Sequence, residues 1–300
     1  MAVTSFRELL GDAQKKGYAL GYFESWNLES LLAAADAAEE EKSPVILGFS
    51  GIFLPHTERV EKDGLSCYAA LGLEVCRSIS VPCCLLFNES ANMQWVEKAV
   101  DLGFHCVMFT DENCSLEEQT SAVRSLVEKT RGTGTAVEGE LTPLPGAGLK
   151  PAEMNEAIVM TDPEQARKFV GETGIDACAV DIGQIHLHGA KMVHLDLDHL
   201  RILRGKVPVP LVLHGASSVA ESDLAAAAGS GIAKINVGSS LKRVYFEALK
   251  RACREVSPDY NPYTVMGSGL PGDVLIQARK SLKEKIKGYM RLFGSSGKAV

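Results

Sequence analysis

The chain has 300 residues, 46% hydrophobic and 23% charged, which excludes a disordered or collagen-like protein and leaves ample material for a large core. Its 31 basic residues face 38 acidic ones, a net charge of -7, which argues against nucleic acid or an anionic membrane as the main partner. A local basic pocket for a small anion stays open. Eight cysteines form no C-x-x-C pair, and Cys83, Cys84 and Cys178 sit in apolar runs, so they read as reduced core thiols of a cytoplasmic protein. Met1–Gly17 is polar and charged, unlike a secretory signal, and no apolar stretch approaches the ~20 residues needed to span a bilayer.

Short apolar runs alternate with longer amphipathic stretches along the chain. A strand at Tyr18–Phe23 precedes a helix at Leu28–Glu41, and a second at Pro44–Ser50 precedes one at Leu65–Ser78. Pro82–Asn88 is followed by Met93–Leu102, Cys106–Thr110 by Leu116–Thr130, and Ala136–Leu141 by Pro163–Thr173. Ala177–Ile182, Pro210–His214 and Ile232–Val237 complete the strands, with helices at Leu197–Arg204, Ser222–Ala228 and Leu241–Val256. The strands lack polar alternation, as in a parallel sheet covered on both faces. Eight such units in about 250 residues predict a single-domain (β/α)8 TIM barrel, an α/β fold. An open doubly wound sheet is the alternative, weakened because no G-x-G-x-x-G follows the first strand. Two features depart from the regular spacing. Thr142–Met160 is a long Pro- and Gly-containing loop, and a tail from about Pro258 ends in a lysine-rich helix near Asp273–Leu292.

A barrel carries its chemistry at the carboxyl ends of its strands. Those ends hold Glu24, Ser50, Asn88, Glu89 and Glu140 in the first half of the chain. In the second half they hold Gln184, His186, His188, His214 and Asn236. His186 and His214 with one carboxylate suit zinc or a similar divalent ion; they could equally cap strand ends against the backbone. Gly215-Ala216-Ser217-Ser218 and Gly238-Ser239-Ser240 each precede a helix, where backbone N–H groups can hold a phosphate.

The segments PLVLHGASSV (210–219) and GIAKINVGSSLK (231–242) resemble the class II, metal-dependent ketose-bisphosphate aldolase family, its tagatose-type branch above all. AVEGEL (136–141), the stretch 161–186 and SPVILGFSG (43–51) extend the resemblance over most of the chain. It implies a cytoplasmic homodimer or homotetramer that cleaves sugar phosphates into dihydroxyacetone phosphate and an aldehyde with a zinc-type ion. His186 and His214 fall on metal ligands, and Glu140 on a carboxylate that approaches the metal. Gly215, Ser217 and Ser239 fall on phosphate positions, with Gly238 in the same turn. Asn236 and Ser50 fall on substrate contacts.

The departures concentrate after the third strand. Where the family reads H-L-D-H-G, this chain reads Leu86-Phe87-Asn88-Glu89-Ser90. Asn88 replaces the aspartate that exchanges a proton with substrate, and an amide cannot serve as that base. Glu89 replaces a zinc histidine; as a ligand beside His186 and His214 it would favour manganese or magnesium more than imidazole does. Glu24 replaces an asparagine and Leu187 a glycine, Thr110-Asp111-Glu112 stands for D-G-S, and the acidic loop after the fifth strand gives way to residues 144–156, including Glu153 and Glu156. The resemblance therefore implies a divergent aldolase whose base has moved, with Glu24 and Glu140 as candidates. The alternatives are a metal-dependent sugar-phosphate isomerase or epimerase and a non-catalytic sugar-phosphate-binding protein.

Overall fold

Apolar runs with no polar face can be satisfied only where both sides of a sheet are covered, and the chain meets that demand by closing the sheet on itself. The structure is a computed structural model that describes residues 3–141, 143–144, 146, 159–186 and 192–299. Leu187, His188, Glu153 and Glu156 lie outside the described residues, as does most of the loop expected at 142–160.

The chain opens with α1 (Phe6–Lys16), β1 (Leu20–Ser25), α2 (Leu28–Glu41), β2 (Val45–Ser50), α3 (Leu65–Ser78) and β3 (Cys83–Ser90). It continues through α4 (Met93–Asp101), β4 (Cys106–Phe109), α5 (Leu116–Thr130), β5 (Ala136–Glu140), α6 (Pro163–Thr173), β6 (Ala177–Ala179) and α7 (Leu197–Lys206). The last part holds β7 (Leu211–Leu213), a 3-10 turn at Ala216–Ser218, α8 (Glu221–Ser230), β8 (Ile232–Val237), α9 (Ser239–Glu255), α10 (Pro262–Val265) and α11 (Val274–Leu292). All eight strands pair in parallel and in sequence order, and β8 returns to β1 to close the barrel.

Side chains two apart on a strand share a face, so the inward residues stack in layers. The lower layers are apolar: Leu20 and Tyr22, Ile46, Cys84 and Leu86, Cys106, and Ala136 form one buried cluster. Phe6, Leu9, Leu10 and Ala13 of α1 belong to that cluster, so this helix plugs the amino-terminal end of the barrel. Its start is a capping box between Ser5 and Glu8, and Gly17 ends it in the left-handed conformation at φ 69°. The upper layers continue the same faces with Glu24, Ser50, Asn88, Thr110, Glu138 and Glu140, which places the polar chemistry at the carboxyl end. Outside, α11 packs on α2 and α9, tied to α2 by Arg279–Asp36, Lys283–Glu40 and Arg291–Glu41 ion pairs.

The predicted helices match closely, but β6 and β7 are shorter than expected. After Ala179 the Gln184 side chain replaces the ladder: it accepts from the Ile182 N–H at 2.9 Å and donates to the Val180 carbonyl at 2.7 Å. Conversely, β3 runs two residues further than expected, to Ser90, through a register shift against β4.

Candidate active site

The ends of β1, β2, β3, β7 and β8, with His186 from the segment after β6, meet around a cavity of about 140 Å³ lined by Glu24, Ser50, Asn88, Glu89, His186 and His214. Gly215, Ser217, Asn236, Gly238 and Ser239 line the same cavity, so of the candidate site residues Glu140 alone stands outside its wall. A larger cavity, about 810 Å³, opens beside it over residues 51–57, 91–94 and 110–113. Ile52 borders both, so the two lie side by side at the same end of the barrel.

Asn88 and Glu89 are consecutive, yet both reach the cavity. A regular strand would send them to opposite faces. Glu89 instead has φ +48°, the left-handed region, within the register shift between Phe87 and Ser90. That conformation costs a non-glycine residue about 1–2 kcal/mol, held in place by what the side chain gains. Its Oε1 lies 2.7 Å from His214 Nδ1, and its Oε2 accepts from Asn88 Nδ2 at 2.6 Å.

The contacts continue until they return to their start. His214 Nε2 lies 2.8 Å from Glu138 Oε1, which also accepts from Lys234 Nζ at 3.0 Å. Lys234 donates to Asn236 Oδ1 at 2.6 Å, and Asn236 Nδ2 donates to Asn88 Oδ1 at 3.2 Å. Six side chains from β3, β5, β8 and the end of β7 thus form one closed ring, buried but for the partly exposed Glu89. Burial alone would discharge His214, but the Glu89 charge and the bonds to Glu138 and Glu89 hold its proton far above the usual imidazole range. Burial likewise opposes ionisation of Glu89 and Glu138, and the cations beside them, His214 for Glu89 and Lys234 first for Glu138, hold both below the ordinary carboxylate range.

Glu24 sits at the end of β1, paired with Lys242 from the first turns of α9. The Lys242 ammonium lies 4.2 Å from the centre of the Phe53 ring. A β-carbon at Gly238 would collide with the Glu24 carboxylate, so glycine there makes room for this pair. Burial raises the Glu24 proton affinity and Lys242 opposes it. Nearby, the Ser217 hydroxyl accepts from the Ser240 N–H at 3.1 Å and caps α9, while Gly215 takes the left-handed φ of 69° that starts the 3-10 turn. The two glycine–serine turns are therefore in contact, through Ser217 and Ser240.

Glu140 is buried behind the cavity wall and accepts from the Thr110 hydroxyl at 2.5 Å. Burial is the main reason its proton affinity rises to about 7. Three other histidines have ordinary work: His105 Nδ1 accepts from the Leu85 N–H at 2.9 Å, His199 Nε2 meets the Thr161 carbonyl at 2.8 Å, and His194 pairs with Asp223.

With this geometry in place, comparison with known proteins is decisive. The family model described as fructose-bisphosphate aldolase class-II matches residues 4–298. The chain belongs to that family. It is 30% identical over 302 residues to a probable fructose-bisphosphate aldolase of Bacillus subtilis, covering all of both chains. It is 30% identical over 310 residues to the fructose-bisphosphate aldolase of Geobacillus stearothermophilus, again over the full length of both. Among solved structures it resembles the YdjI aldolase of Escherichia coli K12, with a TM-score of 0.79, 29% identity and coverage of 99% and 100%. A putative fructose-1,6-bisphosphate aldolase from Coccidioides immitis gives a TM-score of 0.82 at 25% identity, with 98% of each chain covered. Membership makes this an aldolase-type barrel for C–C cleavage of a ketose phosphate.

Class II aldolases are in general divalent-metal enzymes, so the expected ligands Glu89, His186 and His214 must be tested against this arrangement. A metal ion needs a lone pair from His214. Each ring nitrogen faces a carboxylate oxygen instead, so each carries a proton and the ring has no lone pair to give. Both Glu89 oxygens are engaged as well, by His214 and Asn88. Among the described residues no group of three or more His, Cys, Asp or Glu side chains is placed to hold a metal ion. As arranged, these residues do not fit the ion.

Sequence reasoning missed Glu138, Lys234 and Lys242. The signal for the first two was available: Glu138 precedes Glu140 by two, and Lys234 precedes Asn236 by two, so each shares an inward face with a residue already singled out. Lys242 carried no such signal, because its place beside Glu24 depends on how α9 leaves the barrel.

Proposed function

We propose that this protein is an aldolase-type lyase for a ketose 1-phosphate, working with a relocated base. The observation that carries the reading is the convergence of Ser50, Asn236 and the two glycine–serine turns on one cavity in a chain of this family. The phosphate would sit at the amino end of α9, near Gly215, Ser217, Gly238 and Ser239, with Lys242 as the neighbouring cation. Ser50 and the second amide N–H of Asn236 are neutral donors for the oxygen of the developing enediolate.

Asn88 cannot accept the hydroxyl proton. Glu140 is the better acceptor, through the Thr110 hydroxyl, which lines the larger cavity. The proton leaves the hydroxyl beside the scissile bond, the C–C pair moves towards the ketone, and protonation of the enediolate gives dihydroxyacetone phosphate and an aldehyde. Glu24, held by Lys242, is the second candidate. The larger cavity would take the aldehyde half; its described lining carries Asp111 and Glu112 and neither Lys nor Arg, which suits an unphosphorylated aldehyde. A homo-oligomer in the cytoplasm is part of the same reading.

Binding without turnover is favoured by one feature: Asn88, at the position of the family's base, is held on both sides by Asn236 and Glu89. Incubation with ketose 1-phosphates and with fructose 1,6-bisphosphate, followed by enzymatic detection of dihydroxyacetone phosphate, separates the two. Release from a ketose 1-phosphate, faster than from the bisphosphate, supports the lyase. Saturable binding with no release supports the binding protein.

A further inference from the structure

The ring of six side chains closes on itself through hydrogen bonds and balances in charge. Lys234 and protonated His214 balance Glu138 and Glu89, with no charge left for a divalent ion to neutralise. We propose that this ring stands where the family's metal would be, that it keeps divalent ions off His214, and that Asn88 and Glu89 do so as a single unit.

The unit follows from donor and acceptor roles. Asn88 must be an amide, because its Nδ2 donates to Glu89 while its Oδ1 accepts from Asn236. A carboxylate at position 88 would face the Glu89 carboxylate at 2.6 Å, two buried like charges in contact. Glu89 in turn must be an anion, because it meets the Nδ1–H of His214 while Glu138 meets the other ring nitrogen. A neutral imidazole at position 89 would remove the acceptor that keeps Nδ1 protonated. His214 would then hold Glu138 through one N–H and turn a lone pair towards the cavity, the orientation that a carboxylate behind a metal-bound histidine imposes. Neither change alone is stable in the ring: the first sets charge against charge, and the second leaves the Asn88 amide without its acceptor. The left-handed backbone at Glu89 is the local cost of closing the ring.

The ring shares its place with the proposed lyase site, yet metal binding is read without substrate, so failure of turnover and failure of this assignment are separate results. Purified protein is analysed for metal content and titrated calorimetrically with zinc sulfate and manganese chloride. The wild type, His214→Gln, and Asn88→Asp combined with Glu89→His are compared, with folding checked by circular dichroism. The wild type should hold no equivalent of metal that His214→Gln removes. The double variant should bind zinc at least about tenfold more tightly than the wild type. Metal that persists in His214→Gln lies away from the ring and agrees with the assignment. A full equivalent on the wild type that His214→Gln abolishes would overturn it, and so would a folded double variant with no gain in zinc affinity. Should the double variant not fold, the comparison of the wild type with His214→Gln decides alone.

Discussion

The Thr110 hydroxyl donates to Glu140 across 2.5 Å, tying the end of β4 to the end of β5 beneath the mouth of the barrel. The bond favours the ionised carboxylate, whereas burial, the larger effect, favours the acid, and the balance lies at about 7. If Glu140 accepts the substrate proton, the cleavage rate should rise with pH through about 7. Glu140→Gln should remove that limb, and Thr110→Val, which cuts the hydroxyl relay to Glu140, should slow cleavage across the whole pH range. The check is the pH–rate profile of dihydroxyacetone phosphate release by the three proteins. A limb that persists in Glu140→Gln would assign the base to another group.

Gly238 is required for the space it leaves, although its φ of -133° is not left-handed. Any β-carbon there meets the Glu24 carboxylate. Gly238→Ala should therefore displace Glu24 from Lys242 and cost about 1–3 kcal/mol of stability, with weaker phosphate binding. Glu24→Ala in the same chain should recover much of the loss. Thermal unfolding and calorimetric titration with inorganic phosphate measure both.

Asp181 tests the mouth away from the ring. Burial raises its proton affinity from 3.8 to about 6, despite the hydrogen bond from the Gly183 N–H. The folded state thus resists its ionisation. Below pH 3.8 the residue is neutral folded or unfolded and contributes no penalty; the penalty grows as pH rises to about 6 and is constant above. Asp181→Asn keeps the acceptor and removes the charge. It should match the wild type in acid and exceed it by about 2–3 kcal/mol above neutrality, as read from urea unfolding at several pH values.

The helix beyond the barrel proper, α11, is held by its apolar face more than by its charges. Leu282 is buried, whereas Lys283 pairs with Glu40 at the surface. Leu282→Ala should cost about 2–5 kcal/mol and Lys283→Ala less than about 1 kcal/mol, both by denaturant titration. Equal losses would show that the ion pairs carry the docking.

The amphipathic stretches located α2, α3, α5 and α6 to the residue, and in the structure the side chains of Asn27, Ser115 and Asp162 cap three of them. The eight strands and their closure into a barrel were legible too: unbroken apolar runs admit few other arrangements. The first helix went unread although Phe6, Leu9, Leu10 and Ala13 have the i, i+3, i+4, i+7 spacing of an amphipathic face behind the Ser5–Glu8 capping box; what that face covers, the open end of the barrel, is visible only in the fold.

At the site, the sequence by itself indicated many of the residues that reach the mouth and where they depart from the family, at Asn88 and Glu89. What it could not determine was the meaning of those departures. Read singly, one is a lost base and the other a changed ligand. Only the tertiary structure brings Glu89, His214, Glu138, Lys234, Asn236 and Asn88 into one closed ring. The physical reason is that the proton count of His214, and so its fitness for a metal, depends on which oxygens face its two nitrogens. Those oxygens come from β3 and β5, up to 125 positions away in the chain, and reach it only because the barrel closes and Glu89 turns inward.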